Sequence, residues 1–479
     1  LIPFKKRGEI MTQTQPSHLN IKQRNLMIAV MMIGAFIGVL NQTLLTTILP
    51  EVMKDFAISS STAQWLTTIF MLVNGIMIPV TAYLIERFSL RTLFFTAATC
   101  LILGSLICML GVNFPLLLVG RSIQALGAGI LMPLSQTLLF IIFPVEKRGM
   151  AMGIFGLVIG FAPAIGPTAA GWFIHLFDWR YLFLVVLLIS VVDAIFGFLY
   201  LKNITETQQP SLDILSVIMS TLGFGGLLYG FSSAGNLGWS HPSVYVTIII
   251  SIIILALFIR RQLKLPSPLL EFRVFKYRSF TISMTLIVLM FVLFIGNLTI
   301  LPIYMQTMMH WSPLESGLIL LPGGLVMGLL SPVTGKLYDR VGGRSLSITG
   351  MLLIMIGALF MAQFNPQTSA LYVIVTFSIL MLGNSMIMTP MTTQALNALP
   401  VSLIAHGTAM NNTIRQISAA IGTGILVTLM TGFGHLSPLH GSAGLIHGLD
   451  ITFYIVAFVA LIGAFIALFS EKRQSNTTH

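Results

Sequence analysis

The sequence predicts an all-α polytopic membrane protein with fourteen transmembrane helices. Three observations predict it. First, the 479 residues are 56% hydrophobic and only 8% charged, whereas a soluble domain is about 25% charged. Apolar surface on that scale cannot be hidden in one water-soluble core, so lipid has to be the solvent. Second, the chain divides into long apolar runs close to the roughly 20 residues that cross a hydrocarbon core as helix. They are continuous rather than short and alternating, which argues against a barrel of strands. Third, the basic residues gather on one side of the runs, as the positive-inside bias requires.

The runs follow in order, most of them bounded by charge or proline. Run 27–49 follows Lys22 and Arg24 and stops at Pro50; 64–85 stops at Glu86 and Arg87. Run 92–112 opens after Arg91, 115–143 lies between Pro115 and Pro144, and 149–175 follows Lys147 and Arg148. Run 180–201 ends at Lys202, 211–232 follows Pro210, and 242–260 ends at Arg260 and Arg261. The rest are 279–304 after Arg278, 314–335 before Lys336, 346–364 after Arg344, 369–397, 407–432, and 450–470 before Lys472. With both termini cytoplasmic, 21 of the 25 basic residues are cytoplasmic and only Lys54 and Arg180 lie outside; Arg121 and Arg415 fall within runs. The net charge of +11 is therefore read as topology, with no nucleic-acid partner.

One ten-residue phrase occurs twice. Gly335-Lys-Leu-Tyr-Asp339-Arg340-Val-Gly342-Gly343-Arg344 matches Ala82-Tyr-Leu-Ile-Glu86-Arg87-Phe-Ser-Leu-Arg91 in its acid-arginine pair and closing arginine. Such a repeat marks a duplicated membrane architecture. The copies start 253 residues apart, and a six-helix half needs roughly 180 at about 30 residues per span and loop. The surplus fits two inserted helices, 211–232 and 242–260. The expected organisation is a cytoplasmic segment 1–26, a six-helix half 27–202, inserted helices and linkers 203–278, a second half 279–470, and a tail 471–479. Residues Leu1–Ile10, which precede Met11, are expected to be a translated leader.

Three more phrases carry polar chemistry or backbone irregularity into apolar runs. Gly120-Arg121-Ser-Ile-Gln124-Ala-Leu-Gly-Ala-Gly129 places an arginine about 9 Å into its span at about 1.5 Å per residue, where a charge must find a cavity or a partner. Gly156 to Gly171 contains Pro163, Gly166 and Pro167, which bend a helix or let it pack closely. Arg415 lies in Asn411-Asn-Thr-Ile-Arg-Gln416, one or two turns from the cytoplasm by the span limits.

With these phrases the chain resembles the major facilitator superfamily, and within it the fourteen-helix branch of drug:proton antiporters, along essentially its whole length. The resemblance implies a major facilitator fold of 6 + 2 + 6 helices and a proton-coupled multidrug efflux permease of a bacterial plasma membrane. It implies that Glu86, Arg87, Arg91, Gly335, Asp339, Arg340, Gly342, Arg344 and Arg415 gate the cytoplasmic side. It further implies that Arg121 tunes a proton-carrying acid, and that Pro163, Gly166, Pro167 and Gly171 form the antiporter hinge. One departure matters. Members of the branch often carry an acid in the first helix, where this chain has Leu40-Asn41-Gln42-Thr43. Asn41 cannot carry a proton.

Asp193 is the one carboxylate deep inside a predicted span. It is read either as the proton carrier or as an acid that reaches the interface or makes a structural hydrogen bond. Glu51, Glu315 and Asp450 are the runners-up. Asn41, Gln42, Thr46, Asn74, Gln124, Asn297, Asn384 and Asn412 are polar groups at depth that suit an apolar substrate cavity. No catalytic constellation, phosphate-binding loop or cofactor motif is present. Cys100 and Cys108 read as small core residues, and His435, His440 and His447 cluster in one expected outer loop without a metal-site pattern. The chain is expected to act as a monomer that exports small lipophilic or cationic drugs and toxic compounds, powered by the proton gradient. The alternatives are a dedicated exporter of one endogenous metabolite or peptide and, further off, a passive facilitator or a transporter-like sensor.

Overall fold

The computed structural model describes residues 20–174, 176–204, 207, 209–438 and 441–471. Among them are fourteen helices long and apolar enough to cross a membrane. They are α1 Ile21–Phe56, α2 Trp65–Arg87, α3 Leu90–Met109, α4 Phe114–Ile142, α5 Arg148–Ile174, α6 Arg180–Tyr200, α7 Ile214–Leu237, α8 Pro242–Gln262, α9 Arg278–Ile303, α10 Pro313–Val341, α11 Gly343–Met361, α12 Ala370–Asn397, α13 Ile404–Leu436 and α14 Ser442–Ala467. Leu1–Ile10, Lys472 and Arg473 lie outside the described residues, as does His440.

Several helices outrun the apolar runs, because polar residues complete their end turns. Asn20 caps α1 by accepting from the Lys22 amide (3.4 Å). At its far end α1 passes through Pro50 to Phe56, so Glu51 and Asp55 ride on its last turns rather than following it. Ser312 and Glu315 form a reciprocal capping box at the start of α10. Helix α13 begins at Ile404, which puts Arg415 eleven residues in, about 16 Å at about 1.5 Å per residue and deeper than one or two turns. Helix α14 begins at Ser442, so Asp450 sits two turns inside it rather than at its start. His435 and His447 are helical, and the expected histidine loop shrinks to the few residues between α13 and α14.

Helices α1–α6 pack on one another, as do α9–α14. The two groups meet mainly through α5 on α10 and α2 on α13, with lesser contacts of α4 with α13 and α5 with α12. The α7–α8 hairpin joins at this seam: α7 packs against α8, α2 and α13. Trp65 of α2 stacks on Tyr229 of α7 at 5.9 Å, and Trp239 donates to Thr428 of α13 at 2.5 Å.

Small residues set the α5–α10 distance. A methyl group on Gly153 would lie 2.6 Å from the Pro332 Cα, and one on Gly160 would lie 2.9 Å from the Gly328 amide nitrogen. Gly335 likewise leaves no room for a side chain against the Gly149 carbonyl. Lipid tails are as apolar as leucine, so close backbone approach and dispersion hold such helices together. Gly342, at φ 81°, turns the chain from α10 into α11, a left-handed conformation that favours glycine.

Candidate functional site

Both acids of the repeated phrase reach across the seam, at the same end of the bundle. Asp339, near the end of α10, accepts from the amides of Gly149 (2.9 Å) and Met150 (3.0 Å) at the start of α5. An anion there satisfies orphan N–H groups and meets the positive end of the helix dipole. Glu86, near the end of α2, lies 3.0 Å from Nε2 of His406 on α13. Two further hydrogen bonds, one from a guanidinium and one between amides, accompany them. Arg148 donates to Asn397 Oδ1 (3.0 Å), and Asn412 Nδ2 donates to Gln136 Oε1 (2.7 Å). Four side-chain ties thus join the halves at what we call the Asp339 end.

The arginines of the phrase are placed differently. Arg91 stays within its own half, its amide donating to Asn203 and its guanidinium to the Phe198 carbonyl. Arg340 is exposed, and Arg87 and Arg344 are half-buried. His406 and Gln136 were not among the residues read as functional. Gln136 could have been found as an amide in the apolar run 115–143. His406 had no local signal, because it precedes run 407–432 and its partner is 320 positions away.

Arg121 is wholly buried on α4. It donates to Asn41 Oδ1 (2.7 Å), to the Asn41 carbonyl (3.2 Å) and to Gln124 Oε1 (2.9 Å). Its guanidinium also lies over the Phe70 ring at 4.3 Å. Gln124 is held in turn by Ser105 (2.8 Å). Asn41 therefore serves as a neutral acceptor where the resemblance leads one to expect an acid. A small cavity beside the guanidinium is lined by Asn41, Ile48, Leu182 and Val186.

Asp193 is 4% exposed on α6. A methyl group on Gly34 of α1 would lie 3.1 Å from its Oδ2 and 3.4 Å from Leu131 of α4. Its Oδ1 has no hydrogen-bond partner among the described residues. Asp193 and Arg121 thus lie at two levels of one α1–α4–α6 wedge. The α1 residues beside them, Gly34 and Asn41, are seven positions apart, about 10 Å along the helix. The other acids differ. Glu51 and Glu315 are exposed, and Asp450 is half-buried on α14.

Arg415 on α13 is 6% exposed, and its contacts stay within its own half. Its guanidinium lies over the Phe291 ring at 4.4 Å and donates to the Met388 sulfur at 3.9 Å. Of the amides, Asn74, Asn297, Asn384 and Asn412 are buried while Gln42 is half-buried. Asn297 has neither polar atom bonded among the described residues. On α5, Gly156 faces Ser331 and Thr389 of the second half, whereas Gly166 faces Thr43 of α1. Pro163 is half-buried between them, and Gly171 stands looser against Thr47 (3.6 Å). The side chains of Thr46 and Pro167 lie outside the described residues. At the far end of the bundle Arg180 pairs with Asp55 (2.7 Å) and covers Trp179.

The described residues thus form two packed halves, with four side-chain ties at one end and buried charges within. Comparison with known proteins places this arrangement. The Major Facilitator Superfamily profile matches residues 31–423. The chain is 48% identical to the MFS-type transporter YcnB of Bacillus subtilis, over 94% of this chain and 96% of that one. It is 40% identical to the lincomycin resistance protein LmrB of Listeria monocytogenes, over 93% and 96% of the two chains. Among solved structures, the proton:xylose symporter XylE superposes with a TM-score of 0.65 at 15% identity, over 95% of this chain and 97% of that one, a likeness of fold. A helical chain built and matched in this way is a multi-pass membrane transporter, and it belongs to the major facilitator superfamily.

Proposed function

We propose that this protein is a secondary active exporter that moves lipophilic compounds, drugs among them, out of a bacterial cell in exchange for protons. The observation that carries the reading is the set of side-chain ties through Asp339, Glu86, Arg148 and Asn412 that join the halves at one end. The closed end bears the basic linkers, and the positive-inside bias assigns that end to the cytoplasm. The structure then represents a state sealed from the cytoplasm, and breaking these four ties is the inward-opening half of an alternating-access cycle.

Asp193 supplies the proton-exchange group in this scheme. Its carboxylate lies at membrane depth, with Oδ1 unbonded and no cationic partner among the described residues. Arg121, held through Nη1 by Asn41 and Gln124, anchors the other level of the same wedge. Similarity to a relative named for lincomycin resistance supports a drug-like substrate, and the proton gradient replaces any cofactor. Transport in energised everted vesicles tests the whole reading. Accumulation of substrate must collapse with a protonophore and persist without ATP; accumulation that survives loss of the proton gradient sinks it.

A further inference from the structure

The two buried guanidinium groups have different partners, and Arg121 Nη2 has none among the described residues. Arg121 has three hydrogen bonds to oxygen acceptors at 3.2 Å or less. Arg415 has one aromatic face and one thioether, a weak acceptor. A guanidinium carries five donors in a fork that matches a carboxylate. None of the ion pairs among the described residues involves Arg415.

Its helix face continues the pattern. Thr408, Asn411 and Arg415 recur at helical spacing along α13, and all three are buried. The Thr408 hydroxyl and both polar atoms of Asn411 have no partner among the described residues. Buried polar groups are rarely left unbonded. The donors of this stripe, Asn411 Nδ2, the Thr408 hydroxyl and the Arg415 guanidinium, suit a ligand that brings oxygen atoms, and Asn411 Oδ1 remains as an acceptor. Phe291 and Met388 flank it with a ring and a flexible sulfur-containing chain, surfaces that take an apolar body.

We infer that Arg415 and Asn411 form an anion subsite that receives the carboxylate of an amphiphilic organic acid, whose apolar part rests on Phe291 and Met388. This rests on the exporter reading and narrows its substrate class to organic acids rather than cations. Asp193, buried at membrane depth, belongs to the α1–α4–α6 wedge of the other half, and no ion pair among the described residues neutralises Arg415.

Binding to the full-length protein in detergent tests the inference, with three ligands of one shape: 2-naphthoate, 2-naphthamide and 2-naphthylmethylammonium. Titration calorimetry should show the carboxylate bound at least tenfold more tightly than the amide, and the ammonium most weakly. Arg415→Gln should abolish the preference while leaving amide affinity within about twofold, and Arg415→Lys should keep part of it. Asn411→Ala, a milder change to the fold, should weaken only the carboxylate. Size-exclusion profile and thermal melting establish that each variant is folded. Failure of folded wild-type protein to bind the carboxylate, a preference for the ammonium, or an unchanged preference in folded Arg415→Gln overturns the inference. Vesicle transport separates the two readings: proton-driven efflux without charge preference leaves the exporter standing and removes the anion subsite.

Discussion

His406 Nε2 lies 3.0 Å from Glu86 Oε1, joining α13 to α2 across the seam. On the paired seam, Asp339 takes two α5 amides. The two copies of the repeated phrase thus close the same end by different chemistry, one through a side chain and the other through a helix terminus.

That difference predicts unequal mutants. Asp339→Asn removes the charge and turns an amide group toward backbone N–H donors that need an acceptor. Hydrogen bonds to charged groups contribute about 1.5–3 kcal/mol each, so the closed state should lose enough to cut transport about tenfold or more. Glu86→Gln keeps an oxygen for His406 and should cost about two- to threefold. Transport rates, with cysteine accessibility of the Asp339 end, measure both; equal losses would contradict the assignment.

Asp193→Asn removes the proposed proton carrier while nearly preserving volume. Substrate should still bind, but the proton released on binding, read with a pH dye in weakly buffered detergent solution, should vanish. Gly34→Ala provides a second approach. Its methyl would press on Asp193 Oδ2 at 3.1 Å, so proton coupling should weaken without removal of any ionisable group. Wild-type proton release from Asp193→Asn would move the role to Glu51, Glu315 or Asp450.

The spans were legible because lipid imposes a simple rule, about 20 apolar residues per crossing. Helix ends were less so, since Glu51, Asp55 and His406 are polar yet helical. Asp339 and Arg121 stood out as charges in a repeated or an apolar phrase. His406 and Gln136 matter only through partners far along the chain, and single-sequence periodicity holds no trace of such pairs. Arg415 was visible, but its depth and its aromatic and thioether partners became evident only once α13 was seen to start at Ile404 and to face Phe291 and Met388.

The α5–α10 contact predicts a steric asymmetry among glycines. Gly153→Ala would place a methyl 2.6 Å from backbone atoms of Pro332, which cannot rotate away. Overpacking of this kind costs about 1–3 kcal/mol, so thermal melting should fall by several degrees. Gly432→Ala on α13 meets nothing within 4 Å and should melt like wild type. Indistinguishable behaviour of the two would show that the seam is looser than described.

The inserted hairpin carries a pH-dependent clamp. Asp213, just before α7, accepts from Arg261 at the end of α8 through Nε (2.7 Å) and Nη2 (2.9 Å), and from the Ser216 hydroxyl. The Arg261 hydrogen bonds hold the Asp213 carboxyl down at about 2, below its ordinary 3.8. A depressed carboxylate stabilises the folded state above its unfolded pKa, and that contribution is lost as pH falls through the folded value. The clamp should therefore be intact at neutral pH, begin to weaken near pH 4 and be lost near pH 2. Spin labels on exposed positions at the linked ends of α7 and α8 should report a fixed distance down to about pH 4 and a broadened one below it. In Arg261→Gln the distance should already be broad at pH 7 and change little on acidification. A wild-type distance that stays sharp at pH 2 would mean that the apolar packing of α7 on α8, not the ion pair, holds the hairpin closed.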